Sequence, residues 1–323
     1  MTKVNQAILL SAGLGTRLAP ITDLLPKCLV PVNGYPLSHY WLEALTRAGC
    51  TKIFVNLHYQ TKFVKGVLSN SPFRSRIEFF YEDELLGTAG TISKLSNLLE
   101  DGPAWVIHAD NLSRFSERAF LDAYDNSHSL MMTFATDSPK SCGIVELDGL
   151  GRICAFYEKV ENPPGNNANG AVYIFHPSLL EWIHSNDDLH DISMDVIPHH
   201  LSSFRVWKNS EYHRDIGTIN SFLSAQRTFV RPTNAYYVYA AWQAFWADSD
   251  FANAKVLCRN IQSQLPQERW EFIGQWYEPL FKECALNGVD GILIGVAPDH
   301  LCSASLSQAY GVTVVICSRD GAE

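Results

Sequence analysis

Four apolar runs, each followed by a stretch with helical spacing, constrain the first third of the chain. The runs are QAILLS (6–11), KIFVNLH (52–58), IEFFYED (77–83) and AWVIHAD (104–110). Between them lie PLSHYWLEALTRAG, YQTKFVKGVLS and TAGTISKLSNLLE, whose apolar residues recur at helical intervals. A β-α-β-α-β-α-β order predicts a parallel sheet with helices on both faces, because each crossover must be long and right-handed. Ligands of such sheets bind outside the carboxyl ends of the strands. Three of these ends carry unusual residues: the Gly13–Arg17 loop, Glu82-Asp83-Glu84 leading into Leu86-Gly87-Thr88-Ala89-Gly90, and Asp110-Asn111.

The pattern changes after Leu130. MMTFATD, GIVELDG, RICAFYEKV and GAVYIFHP are short strand-like runs with turn residues between them, an expected antiparallel extension of the sheet. HRDIGTINSFLSAQR adds a turn and a helix, and a boundary is expected near Thr228. The expected fold is α/β: a Rossmann-like, mostly parallel mixed sheet over residues 1–228, with a smaller α/β module over 229–323. That tail opens with an aromatic-rich stretch containing Tyr236, Trp242 and Trp246. It ends in GILIGVA, a helix candidate and VTVVIC, which read as a β-α-β unit with two parallel strands.

The bulk properties exclude several classes. With 323 residues and 46% hydrophobic content, the chain can bury a core in one large domain and a smaller one. Its net charge is −9 with no basic face, which argues against nucleic acid as a partner. No apolar run reaches the roughly 18 residues that a membrane helix needs. The N-terminal apolar stretch is too short for a signal peptide. Eight cysteines are scattered without a CxxC pair, which suits reduced thiols and a cytoplasmic location.

LLSAGLGTRLAPITDLLPKCLVPV (9–32) places Arg17 and Lys27 on a glycine-opened, proline-framed loop after an apolar strand. Glycines let backbone N–H groups approach a ligand, and clustered N–H groups with nearby cations make an anion site. The Walker loop is excluded, because Gly15 is followed by Thr16 and Arg17 rather than Lys and Ser/Thr. The dinucleotide fingerprint is excluded by Leu18 at its third small position. Asp110 in HADN and Asp215 in HRDIGT each suit a turn or cap as well as a ligand. Together with a phosphate loop they make a Mg²⁺ site plausible, since Mg²⁺ takes one or two carboxylates beside water and phosphates. The pair His199-His200 reads as a helix end. Glu158 and Lys159 close a strand. Strand alternation turns neighbouring side chains to opposite faces, so bringing both to one ligand needs a twist or bulge. Asn169 and Gly170 look like an ordinary turn.

Several motifs in order resemble those of the sugar-1-phosphate nucleotidyltransferases, or nucleotide-sugar pyrophosphorylases, over residues 5–226. They are SAGLGTRLAPITDLLPK, EDELLGTAG, HADN, CGIVELD, FYEKVENP, NGAVYIF and RDIGT. The resemblance implies the nucleotide-diphospho-sugar transferase fold and transfer of a nucleotidyl group from an NTP to a sugar 1-phosphate, with release of pyrophosphate. It implies that Ala12, Gly13, Gly15 and Thr16 face the nucleotide, and that Arg17 and Lys27 contact its triphosphate and act with Asp110 in catalysis. Glu84, Gly87 and Thr88 would lie near the base. Asp110 and Asp215 would hold Mg²⁺, and Gly143, Glu158, Lys159 and Asn169 would receive the sugar phosphate. LLGTAG after an acidic run points to GTP and a mannose- or heptose-type acceptor, with CTP and UTP open. Two departures stand out: Ala109 replaces the usual glycine before Asp110, and Tyr157 replaces a glutamate before Glu158. A regulatory subunit that keeps the fold without turnover is the alternative. The aromatic tail is expected to serve assembly, for example as a homo-oligomer.

Overall fold

The computed structural model describes residues 4–18, 22, 26–32, 35–69, 71–229, 291–295 and 313–317. In chain order the strands are β1 (Gln6–Leu10), β2 (Pro31–Val32), β3 (Tyr35–Pro36), β4 (Lys52–Leu57), β5 (Ile77–Tyr81), β6 (Ala104–His108) and β7 (Asn111–Arg114). They continue with β8 (Ser129–Ala135), β9 (Gly143–Leu147), β10 (Ile153–Glu158), β11 (Asn167–Phe175), β12 (Phe204–Asn209), β13 (Tyr212–Asp215), β14 (Gly291–Gly295) and β15 (Thr313–Cys317). The α-helices are α1 (Leu37–Arg47), α2 (Thr61–Ser69), α3 (Gly87–Ser96), α4 (Glu117–Asp122), α5 (Pro177–His184) and α6 (Ile219–Thr228). The chain divides into two units, one drawn from 1–13, 40–59 and 73–215, the other from 14–39, 60–72 and 216–323.

The first unit is built on the parallel order β5-β4-β1-β6 that the alternation predicts. Ile8 pairs with Phe54 on one side and with Val106 on the other. All five residues of β1 are buried, as a central parallel strand covered on both faces must be. One face packs Ile8, Phe54, Val106, Tyr173 and Phe175 against Ala89, Ile92 and Leu95 of α3 and Leu179 and Ile183 of α5. Truncating Phe54, only 2% exposed, to alanine would cost about 3–5 kcal/mol. Short caps start the helices where the sequence offers them: the Ala119 N–H donates to Ser116 Oγ (3.1 Å) at the start of α4, and Pro177 opens α5.

The extension after Leu130 is antiparallel as expected, with β11 at its hub. Its C-terminal half pairs with β6, its N-terminal half reaches β9 at Ala168↔Ile144, and β8 runs along its other edge. Beyond β9 lies β10, also antiparallel. Two features were not legible beforehand. The strand β12 pairs with β8 in parallel, Phe204 opposite Ser129. It follows a π turn (Ile192–Val196) and two 3₁₀ turns, so no regular spacing announces it. The other is a separate antiparallel ribbon of β7 and β13.

In the second unit, the loop after β1 makes 3₁₀ turns at Thr16–Leu18 and Lys27–Leu29, then a hairpin of β2 and β3 with Val32 opposite Tyr35. Thr218 caps α6, its Oγ1 accepting from the Ser221 N–H at 3.2 Å. The expected parallel pairing in the tail is corrected. β14 and β15 pair antiparallel, Gly291 opposite Cys317. GILIG and TVVIC are apolar at consecutive positions, and such runs carry no signal of strand direction. The helix candidate between them, and the aromatic stretch expected to serve assembly, lie outside the described residues. Among the described residues, no helix is long and apolar enough to cross a membrane.

Candidate active site

In the first unit a buried polar network ties the strand ends together. The Ser11 N–H donates to Asn56 Oδ1 (2.6 Å) and the Ser11 hydroxyl to the Asn56 carbonyl (2.7 Å). Glu82 Oε1 accepts from Asn56 Nδ2 (2.8 Å) and from the Thr91 hydroxyl (2.6 Å). This joins the carboxyl ends of β1, β4 and β5 to α3, and it fixes the platform from which Ala12 and Gly13 leave the sheet. Ala12 is buried and Gly13 exposed, with nothing within 4 Å of where a Cβ would stand, so its backbone is open to approach. Sequence reading noted Glu82 only as part of an acidic run. Its burial and its bonds from Asn56, Thr91 and the Leu86 N–H could not be seen there.

The Glu84–Thr88 stretch divides its tasks. Glu84 is exposed. Gly87 has φ +75°, and a Cβ on it would stand 2.2 Å from the His190 carbonyl oxygen. Only glycine satisfies both conditions. The Thr88 hydroxyl accepts from the Ile192 N–H (2.8 Å) and donates to Asp191 Oδ2 (3.4 Å). Gly87 and Thr88 therefore seat the segment 190–192 against the start of α3.

The ribbon brings together the two segments that carry the carboxylates expected to act together. β13 pairs with β7 in a register that sets Asp215 opposite Asn111, the residue after Asp110. Four contacts hold and anchor the ribbon. The Trp41 indole N–H donates to the Asn111 carbonyl (2.7 Å), and Asn111 Nδ2 donates to the Gly170 carbonyl (3.3 Å). His213 hydrogen-bonds Ser113 through Nδ1 (2.5 Å) and lies on Phe134 with ring centroids 4.2 Å apart. The imidazole is enclosed on most sides, although its edge reaches the surface. Burial pushes its pKa down to about 3, outweighing the opposite pull of Asp110. His213 is thus neutral at ordinary pH and serves as a wedge rather than a charge. Among the described residues no cluster of three or more His, Cys, Asp or Glu could hold a metal. A pair of carboxylates fits Mg²⁺, which needs no more than one or two from the protein.

The residues expected to meet the sugar phosphate gather on one sheet face. Glu158 pairs with Gly143 across β10 and β9. A Cβ on Gly143 would stand 2.5 Å from Glu158 Oε2 and 2.4 Å from Phe156 Cζ, so the glycine makes room for both side chains. Strand alternation would turn Lys159 away. Instead Lys159 takes φ +50°, which breaks the strand, and its ammonium lies 2.6 Å from Glu158 Oε1. This is the irregularity that alternation alone required. Asn169 shapes a bulge: its Oδ1 accepts from the Ala171 N–H (2.9 Å) where Ala171 has φ +50°, and its Nδ2 donates to Tyr173 Oη (2.7 Å). Burial holds the Tyr173 phenol well above its ordinary range, so it stays protonated. Tyr157 points its hydroxyl to Glu146 Oε2 (2.8 Å) and leaves Glu158 as the acid of this motif.

In the second unit the glycine-opened loop closes on itself. Gly15 has φ +66°, and a Cβ there would stand 2.9 Å from Thr22 Cγ2 and 3.0 Å from Lys27 Cβ. Its carbonyl accepts from the Leu18 N–H (2.8 Å) and from the Thr22 hydroxyl (2.9 Å). Gly15 therefore lies against the stem of Lys27, which is only 7% exposed. Thr16 and Arg17 are exposed on the adjoining turn. Thr22, 3% exposed, was not singled out from the sequence, although its hydroxyl holds the loop at Gly15. Its place within the motif was the available signal.

The fold, the loop and the carboxylate ribbon define a class. Residues 6–231 match the family described as Nucleotidyl transferase, and the chain belongs to that family. Among its relatives, mannose-1-phosphate guanylyltransferase of Mycobacterium tuberculosis is 27% identical over 232 residues, covering 70% of this chain and 64% of that protein. Mannose-1-phosphate guanylyltransferase 1 of Arabidopsis thaliana is 32% identical over 190 residues, covering 55% of this chain and 52% of that protein. The chain thus spans between half and two-thirds of the length of these relatives. Among solved structures, HddC of Yersinia pseudotuberculosis complexed with GMP-PN shares the fold, with a TM-score of 0.58 and 23% identity over 68% of this chain and 97% of that one.

Proposed function

We propose that this chain transfers a nucleotidyl group from an NTP, preferably GTP, to a mannose- or heptose-type sugar 1-phosphate, releasing pyrophosphate. The observation that carries the reading is the register of β7 and β13, which pairs Asp215 with Asn111, the residue after Asp110. The names of the relatives favour guanine and mannose 1-phosphate, and a guanine nucleotide analogue in the Yersinia protein agrees with that base.

A phosphate oxygen of the sugar 1-phosphate attacks the α-phosphorus of the NTP, and the bond to the β-phosphate bridging oxygen breaks. Pyrophosphate leaves, with no covalent link to the protein. Both reactants are anions, so the protein must align them and offset charge on the leaving group. Arg17 and Lys27 offset that charge, and the packed loop around Gly15 and Thr22 limits their reorganisation. The backbone at Ala12, Gly13, Gly15 and Thr16 receives the nucleotide, and Glu84 with the turn at Gly87 and Thr88 borders the base. Asp110 and Asp215 would hold Mg²⁺, which when bound supplies positive charge to phosphate oxygens. Lys159 receives the phosphate of the acceptor, Glu158 its hydroxyls, and Gly143 and Asn169 shape the space for both. Catalysis belongs to residues 1–228, and residues 229–323 serve assembly.

Pyrophosphate release over four NTPs and a panel of sugar 1-phosphates tests the reading. Turnover highest with GTP and a mannose- or heptose-type acceptor is expected. No release with any pair would favour a sensor without turnover.

A further inference from the structure

The sheet face that carries Gly143, Glu158 and Asn169 continues into a trough of about 460 Å³ that none of these residues lines. Register places it. Lys208 pairs with Thr133 and Thr133 with Asn169, so the three stand in one row across β12, β8 and β11. Asn167 lies two residues along β11 from Asn169, and Val145 two residues along β9 from Gly143, so all of them share that face. Thr133, Val145, Asn167, Val206 and Lys208 line the trough, with Glu146 at its edge. The Phe156 ring packs beside Gly143, and neither Phe156 nor Glu158 lines the trough.

We propose that this trough is a second carbohydrate site, separate from the acceptor residues. Its chemistry is mixed in the way a sugar ring demands. Val145 and Val206 offer an apolar floor for a C–H face, and Lys208, exposed at the rim, offers an ammonium donor. Asn167 offers an acceptor. Its Oδ1 has no partner among the described residues, and its Nδ2 is held only by a long 3.5 Å bond to the Val145 carbonyl. A ligand hydroxyl reaching that buried oxygen would satisfy a group that is otherwise costly to leave unpaired. One ammonium beside an amide and two valines suits the hydroxyls and C–H face of a neutral polyol.

The test uses D-mannose, which lacks the phosphate that would draw it to Lys159 or to the Arg17–Lys27 loop. It is titrated into the full chain and followed by protein-observed NMR or calorimetry. Saturable binding with a dissociation constant of about 1–10 mM is expected, weakened about fivefold or more in Lys208→Met and in Asn167→Leu but not in Lys159→Ala. Lys208 is on the surface, so its replacement leaves the fold intact. The proposal is overturned by no saturation up to about 100 mM. It is equally overturned by binding that survives Lys208→Met unchanged, or by binding that is lost in Lys159→Ala, which would place mannose among the acceptor residues.

Discussion

The loop ending at Lys27 and the ribbon carrying Asp110 and Asp215 hold charged groups by opposite means. The loop is one continuous stretch of sequence. Its shape comes from contacts a few residues apart: the left-handed Gly15, the Thr22 hydroxyl on the Gly15 carbonyl, and the Lys27 stem packed beside it. The ribbon joins two four-residue strands a hundred residues apart. It is positioned by non-local contacts, with His213 wedged on Phe134 and Asn111 bound to the Gly170 carbonyl. Local devices can be read as a motif, whereas non-local ones exist only once the sheet has formed. The loop should therefore fail through its own residues, and the ribbon through the sheet that supports it.

Outside the ribbon's aspartates, the largest effect is expected on the loop side. Lys27→Met keeps the buried stem and removes the charge, so turnover should fall about 100-fold, or about 2.7 kcal/mol of barrier, with little change in thermal midpoint. Lys159→Met should instead raise the KM for sugar 1-phosphate far more than the KM for NTP. Equal effects of Lys159→Met on both substrates would contradict the division between loop and sheet.

A smaller effect is expected at Gly143. A methyl group there meets Phe156 and Glu158 at under 3 Å, so Gly143→Ala should cost about 1–3 kcal/mol of stability and displace Glu158. The KM for the acceptor should rise while NTP binding stays unchanged. A thermal midpoint and acceptor KM equal to wild type would mean that the sheet face gives way freely and does not position Glu158.

The smallest effect concerns no activity at all. Burial pushes the Cys28 and Cys50 thiols up to about 12, while Cys154 is exposed. Iodoacetamide at pH 8, read by peptide mass spectrometry, should label Cys154 and spare Cys28 and Cys50. Cys28 lies within the turn that holds Lys27, so its rapid labelling in the native protein would show the loop to be loosely packed.

These differences explain what could be read in advance. The β-α-β order, the antiparallel extension and the Gly15–Lys27 loop rest on local period and local turn chemistry, and they were legible. Asp110 and Asp215 were legible as separate candidates. Their adjacency was not, because β7 and β13 are too short to show alternation and their pairing depends on register. The meeting of Lys159 with Glu158 required an irregularity that the sequence could pose but not locate. The structure puts it at the left-handed Lys159. Glu82 and Thr22 were hidden for a related reason, since a buried polar side chain is recognised by its partners. The direction of β14 against β15 had no local signature at all.

The central claim is that Asp110 and Asp215 act as one unit, because the ribbon pairs Asp215 with the residue that follows Asp110. Pyrophosphate release in wild type, Asp110→Asn, Asp215→Asn and the double variant tests it most directly. Each single variant should lose about 100-fold or more, and the double variant should be no worse than the poorer single variant by more than a few-fold, because groups sharing one task are not additive. Losses that multiply in the double variant, or a single variant that keeps more than about a tenth of the activity, would contradict it.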